Sequence, residues 1–483
     1  MIKEIKMDEK IRFWQEVMAY AKNRNIRFYI ITWNIFTNGT EGKYGITDDI
    51  GNHTTRDYFR KSISEMFRTY PDLAGIGLTT GENMHGASFQ DKEDWAFDTY
   101  ARAILEVAEE MPDRQFTFIH RQHQAGARDI MNKFQPLLDK KNVDFIFSFK
   151  YAQAHLYSAV EQPFHENFIK EIGSVKTIWG LRNDDIYHFR WGAPDFVRSF
   201  IGNLPTGPMK GIYYGSDQWV WGREFLSKGP LSKPGQLEIE KHWYHWMLWG
   251  RLSYDPAVDN ERFQQILQNR FPEIDGPALF QAWQAASMVY PITTGFHWGA
   301  LDFQWYIEAC KSRPAQANNE TGFHDVNRFI TLGTHPRSGY QSIPDYIQNG
   351  ENPDLSDPLE VSGRLHETAE KALNLLSQMD LASDRELQAT VQDIRAISFM
   401  GKYYAHKIAG ATYLALFREN GRKPLQDKAV AELEMALDFW KQYSTAALMQ
   451  NTHPLWTNRV GYVDFKKTTE WVAGDIDIAK SGK

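Results

Sequence analysis

One pattern constrains the fold more than any other: along the first half of the chain, amphipathic helical stretches alternate with short apolar runs. Helical periodicity covers residues 9–22, 56–69, 92–110, 129–139 and 193–203. Between and beside them lie runs at 27–34, 72–80, 116–120, 143–149, 175–181 and 211–214, short and rich in β-branched and aromatic residues. Such runs, spaced by crossover helices, predict buried parallel strands. Six units in series favour a barrel over an open sheet. No G-x-G-x-x-G or G-x-x-x-x-G-K-[ST] run opens any of these helices, so the phosphate loop common in open doubly wound sheets is missing. The chain starts on a helix. The expectation is therefore a (β/α)8-type TIM barrel, complete or lacking its first strand, in an α/β chain.

The character changes after Tyr254. Helical periods follow at 261–271, 278–290 and 300–311, then a polar, turn-rich stretch at 312–358, then long helical patterns at 363–379, 384–417 and 425–443. The expected division is a catalytic barrel over 1–255 and an α-helical domain over 256–483.

Composition narrows the function. The net charge of −7 argues against a nucleic-acid partner. No stretch reaches the roughly 18 to 20 apolar residues that span a bilayer. Cys310 is the single cysteine, so no internal disulfide or cysteine metal motif is expected, and it reads as a small buried hydrophobe. The charged first ten residues lead into no apolar signal core. The expectation is a cytoplasmic chain, or a periplasmic or secreted one if the sequence is truncated at its start. Aromatic residues make up 14% of the chain: 16 Trp, 22 Tyr and 30 Phe. Most must be core, but at strand ends their flat faces suit stacking on sugar rings.

In a barrel the chemistry sits at the C-terminal ends of the strands. Those positions carry Trp33-Asn34, Gly81-Glu82, Arg121-Gln122-His123, Lys150 to His155, Arg182-Asn183-Asp184-Asp185, and Asp217-Gln218-Trp219-Val220-Trp221-Gly222-Arg223. Glu82 follows an apolar strand beside Gly81, which permits a tight turn. Part-buried by aromatic neighbours, such a carboxyl would have a raised pKa, as a general acid needs. Glycoside hydrolysis needs a second carboxyl across the scissile bond, and Asp184 or Asp185 is the candidate. Arg121 and Lys150 are cations suited to an acidic sugar, or to balancing these carboxylates. Trp33, Asn34, His123, His155, Arg182, Asp217, Trp219, Trp221 and Arg223 complete a set of expected substrate contacts. His120, His123 and His155 lack the spacing of a metal motif, so no metal and no cofactor is expected.

At these residues the chain resembles the barrel of glycoside hydrolase family 67, the bacterial and fungal α-glucuronidases of xylan side chains. Tyr70-Pro71-Asp72-Leu73-Ala74-Gly75 leading to Gly81-Glu82-Asn83 is similar to the family's helix-end turn and its Ser-Glu-Gly strand end. Ile119-His120-Arg121 resembles an Ile-Trp-Arg strand, and Phe147-Ser148-Phe149-Lys150 a Gln-Ile-Lys strand. Gly250-Arg251-Leu252-Ser253-Tyr254-Asp255-Pro256 resembles the Gly-Arg-Leu-Ala-Trp-Asp-Pro lead-in to that family's helical domain. The resemblance implies that Glu82 is the general acid and that the reaction inverts. There are departures. Tyr151-Ala152-Gln153-Ala154-His155 stands where the family has an Asp, and Leu78 replaces a lysine four residues before the acid. Asp184 or Asp185 stands in place of the family's other base candidate, a Glu. The expected function is thus a glycoside hydrolase, α-glucuronidase-like, acting on a side chain or chain end of a plant or algal polysaccharide. The alternatives are a non-catalytic carbohydrate-binding barrel, or a lyase using His155 or Tyr151 as base on an acidic sugar.

Overall fold

The computed structural model describes residues 4–33, 35–40, 42–82, 84–182, 188–215, 229, 231–233, 235–299, 305–379, 384–457 and 460–482. Packing divides the chain into two units. The first comprises 1–151, 164–180 and 205–213; the second comprises 152–163, 181–204 and 214–483.

The first unit is built on the apolar runs. They form β1 (Phe28–Trp33), β2 (Leu73–Thr79), β3 (Phe116–Arg121), β4 (Val143–Lys150), β5 (Lys176–Arg182) and β6 (Met209–Gly215), neighbours in that order in one sheet. The last residues of β5 and β6 fall in the second unit. The pairs from β1 to β5 are parallel, as the crossover helices require. Among the described residues the sheet has six strands.

Side chains alternate across a strand, and the alternation separates two faces here. Phe28 meets Trp14 of the helix Met7–Lys22, and the Thr32 hydroxyl meets the Tyr100 hydroxyl. Phe118 and Phe145 pack on Phe134, and Phe147 and Phe149 on Phe168. These residues form the helix-covered face. The opposite face carries Ile31, Trp33 and Tyr213, each about two-fifths exposed, with Ile119 and Ile146 buried. Two glycines let the strands approach on this side. A Cβ on Gly75 would lie 2.2 Å from the Thr117 carbonyl oxygen, and one on Gly77 would lie 3.0 Å from that of Ile119.

The second unit is mainly helical. Its longest helix, Arg385–Asn420, starts where the Asp384 carboxylate accepts from the Leu387 amide, and it ends at Gly421, whose φ is +68°. It packs between Pro358–Ser377 and Lys423–Leu448, with Phe465–Ser481 against the latter. Gly410 permits the contact with Lys423–Leu448, since an added Cβ would lie 2.7 Å from Leu433 Cγ, and Gly401 permits one with the helix Val289–Phe296, since an added Cβ would lie 2.5 Å from Val289 Cγ2. A two-stranded antiparallel hairpin, β7 (Leu455–Thr457) and β8 (Gly461–Val463), precedes the last helix.

The helix expected over 300–311 is not what the described part of that stretch forms. Residues 300–304 lie outside the described set. Beyond them, Tyr306 pairs with Lys311 in an isolated bridge around a short turn, Ile307–Ala309, and Cys310 has a φ of +51°. Tertiary bonds explain the departure. The Tyr306 hydroxyl donates to Glu308 Oε2, and the Tyr404 and Tyr443 hydroxyls donate to the carbonyls of Ile307 and Glu308. Carbonyls held in this way are not left for an α-helical ladder. Among the described residues no helix is long and apolar enough to cross a membrane.

Candidate functional site

The register of the sheet lines up the strand ends. Trp33 pairs with Thr79, Thr79 with Arg121, and Arg121 with Ser148. Lys150 follows two residues beyond Ser148 and pairs with Gly180. By alternation, Trp33, Thr79, Arg121, Ser148 and Lys150 belong to the face opposite the helices. The Arg121 guanidinium donates to the Thr79 hydroxyl at 3.3 Å.

Glu82 sits just past β2 in a turn that only glycine can make easily. Gly81 has a φ of +101°, and a Cβ there would come within 2.4 Å of Gln124 Oε1. Gln124 is itself held, accepting from Lys92 Nζ at 2.8 Å. Beyond the turn, Met84 is buried at 2% exposure and anchors the chain again. The Glu82 carboxylate comes out 39% exposed, with His123 Nε2 at 3.6 Å from its Oε1. His123 lies just past β3, so this pair bridges two neighbouring strand ends.

Beneath this turn is a sealed polar pair. His120 Nε2 lies 2.8 Å from Glu93 Oε2 with side chains 0% and 7% exposed, and the Thr80 hydroxyl is 3.3 Å from the same nitrogen. His120 therefore stands on the helix-covered face, among Phe118, Phe134 and Phe147, and not on the rim. Strand parity carries that signal: His120 shares a face with Phe116 and Phe118. Glu93 and Gln124 had no comparable signal, because their roles depend on a helix and a loop meeting the β2 turn. Chemically, a partly open carboxyl with an imidazole nearby and cations on adjacent strand ends is suited to proton transfer on an anionic substrate.

The expected contacts are thus distributed as follows. Trp33, Glu82, Arg121, His123 and Lys150 lie at consecutive strand ends of the first unit. His155 and Arg182 belong to the second unit and are buried. The His155 ring faces Trp298 edge-on, and Trp298 in turn meets His335, whose Nε2 is 3.0 Å from Gln162 Oε1. Burial pushes the His335 imidazole down to about 4. Asn34, Asp184, Asp185, Asp217, Trp219, Trp221 and Arg223 lie outside the described residues. Among the described residues no three His, Cys, Asp or Glu side chains are grouped to hold a metal ion.

Fold and site together define a mixed α/β protein whose ionisable groups gather at the C-terminal ends of a parallel sheet, followed in sequence by a helical region. No family model and no curated protein matches the chain. Among solved structures it is similar to a GH138 enzyme targeting pectin rhamnogalacturonan II. The TM-score is 0.79 at 15% identity, over 99% of this chain and 72% of that one, a likeness of fold. A mutant of the Thermobaculum terrenum O-GlcNAc hydrolase aligns over 100% of this chain and 86% of its own at 10% identity, with a TM-score of only 0.38. Neither is described as a family 67 enzyme.

Proposed function

We propose that the chain is a glycoside hydrolase acting on a side chain or chain end of a uronic-acid-containing plant polysaccharide. Glu82 is the general acid, and Asp184 or Asp185 is the base, on a (β/α)8-type barrel. The observation that carries this reading is the placement of Glu82 and His123 across two adjacent strand ends, with Trp33, Arg121 and Lys150 at the same edge. The fold likeness to an enzyme of pectin rhamnogalacturonan II supports a plant polysaccharide as substrate.

In this reading Glu82 donates its proton to the leaving oxygen while the aspartate activates a water on the opposite face of the sugar. The Arg121 guanidinium and the Lys150 ammonium take the substrate carboxylate, which a guanidinium can bind bidentately. Trp33 offers an exposed ring for stacking. An inverting reaction, as in the α-glucuronidases, goes with carboxyl groups roughly 6.5 to 9.5 Å apart.

The test is incubation with a panel holding rhamnogalacturonan II, homogalacturonan, glucuronoxylan and a neutral galactan, with released sugars separated and the anomer followed by NMR. Release of a uronic acid from an acidic member, with inverted configuration, is the expected result. An unsaturated product absorbing in the ultraviolet would make the protein a lyase. Binding with no release from any member would make it a non-catalytic carbohydrate-binding barrel.

A further inference from the structure

Where the helix His53–Thr69 packs beside the segment Phe97–Ala101, the first unit has a cavity of about 250 Å³. It is lined by His53, Arg56, Asp57, Arg60, Asp98 and Arg102. None of these belongs to the strand-end site, and all lie on the helices and not on the sheet.

Three features make this cavity a place for an oxyanion. The first is charge. Three guanidinium groups line it with two carboxylates; Glu106 adds a third carboxylate, 3.6 Å from Arg60 Nη1, and Lys61 a fourth cation on Asp57, so the cations are in excess by one even with His53 neutral. Asp98 is divided between Arg56 Nη1 at 3.1 Å and Arg102 Nε at 2.9 Å. Asp57 is divided between Arg60 Nη2 at 2.9 Å and Lys61 Nζ at 2.6 Å. A guanidinium has five N–H donors, and among the described residues Arg102 gives a hydrogen bond only to Asp98. The second is the helix start. Asn52 caps His53–Thr69 by accepting from the Thr54 and Thr55 amides, and the first turn has no acidic residue to offset the positive end of the helix. The third is the backbone. The segment Phe97–Ala101 is a π-helical turn, a widened form found often at functional sites, and it carries Asp98 with Arg102 directly after it.

We propose that this cavity binds the carboxylate of an acidic sugar unit, as a second contact for the polymer on which the strand-end site acts. The proposal rests on the reading of that polymer as uronic-acid-bearing. The cavity volume falls below the roughly 300 to 1,000 Å³ of pockets that enclose a drug-sized ligand, so it suits one charged group with the ring that bears it. The planar guanidinium fork matches a carboxylate better than a point charge does. Arg56 and Arg60 are half-buried, with side chains 26% and 35% exposed, so an anion drawn in is partly shielded from salt.

The test is calorimetric titration with trigalacturonate, its methyl ester and sodium sulfate. It is run on the wild-type chain, on Arg60→Gln/Arg102→Gln, and on Glu82→Gln. Trigalacturonate should bind the wild type, Glu82→Gln should keep the cavity site whatever it does at the strand ends, and the double variant should lose one site from the stoichiometry or bind there about tenfold more weakly. The methyl ester should bind about tenfold more weakly to the wild type, and sulfate should compete only at much higher concentration. Unchanged binding in a folded double variant overturns the proposal, and so does equal binding of the ester. Sulfate binding as tightly as trigalacturonate also overturns it, since the site would then serve an inorganic anion. If the double variant does not fold, Arg102→Gln alone is the probe, its side chain being 54% exposed. A chain that binds trigalacturonate at this cavity yet hydrolyses nothing would defeat the hydrolase reading and leave the cavity proposal standing.

Discussion

The sheet edge of the first unit and the helical core of the second treat their ionisable groups in opposite ways. At the sheet edge of the first unit, Glu82 and His123 stay partly open, at 39% and 22% exposure. In the core of the second unit two such pairs are sealed. Lys407 and Asp475 meet at 2.5 Å with side chains 0% and 1% exposed, and Arg190 and Asp393 at 2.6 Å with 4% and 1%. Arg190 Nη1 also donates to Gln450 Oε1, and Gln450 Nε2 to Asp393 Oδ1, so this pair is tied to a third side chain. A sealed pair is poorly placed to exchange protons with a substrate, but it holds segments distant in sequence in one arrangement. A partly exposed carboxyl contributes less to stability and can be reached by solvent. The contrast separates a solvent-reachable sheet edge from a structural core.

Acid should break this comparison most strongly. Burial lowers the His245 imidazole to about 3, and it lowers those of His242, His297 and His324 well below the ordinary value. With His335, all lie in the second unit. Their folded pKa values lie below the unfolded value of about 6.5, so their stability contribution is complete above that pH. As pH falls from about 6.5 toward 3, the unfolded chain takes up protons that the folded chain refuses, and stability is lost. Each group contributes at most about 1.4 kcal/mol per pH unit. Hydrogen exchange at pH 7 and pH 5 should show deprotection concentrated in peptides around 240–250 and 290–335, with peptides of β2 and β3 changing less. Deprotection confined to the first unit would refute the assignment.

Next in size is the sealed ion pair. Asp393→Ala leaves Arg190 charged and buried, and should lower unfolding free energy by roughly 3 to 5 kcal/mol. Urea denaturation measures it, and a loss below about 1 kcal/mol would show that water or a rearranged Gln450 replaces the carboxylate.

A smaller effect is expected at the rim. Gly81→Ala meets both the positive φ and the Gln124 side chain, at a cost of about 1 to 3 kcal/mol. Because the turn carries Glu82, activity should fall further than stability does. Combining it with Gln124→Ala relieves the side-chain contact and leaves the backbone strain, so recovery should be partial. Full recovery would place the whole effect in the clash.

Much of this contrast was legible in the residues. The six strands of the parallel sheet stood out because short apolar runs bounded by turns leave little alternative, and each falls within two residues of its expected ends, whereas the hairpin of β7 and β8 was not foreseen. Strand ends then pointed to Trp33, Arg121 and Lys150, which lie in register-paired strands, and to Glu82 and His123 just beyond β2 and β3. The buried network was not legible, because Arg190, Asp393 and Gln450 meet only through tertiary packing. The 300–311 stretch shows the same limit: its helical period is real, but the Tyr306 and Glu308 side chains and their neighbours' hydroxyls bind its described part differently. The helix Phe465–Ser481 could have been read from its Asp464 cap and the closing Gly482. The π-turn after residue 96 was hidden inside one continuous helical period.

The most direct test is Glu82→Gln, which should leave stability nearly untouched because the side chain is open and the shape is kept. Activity is to be compared on an acidic oligosaccharide, a poor leaving group, and on an activated aryl glycoside of the same sugar. The expected result is a loss of about 10² to 10⁴ on the oligosaccharide, with the aryl glycoside largely spared because its leaving group needs no protonation. Equal loss on both would make Glu82 a base or nucleophile, and full activity on both would contradict the assignment altogether.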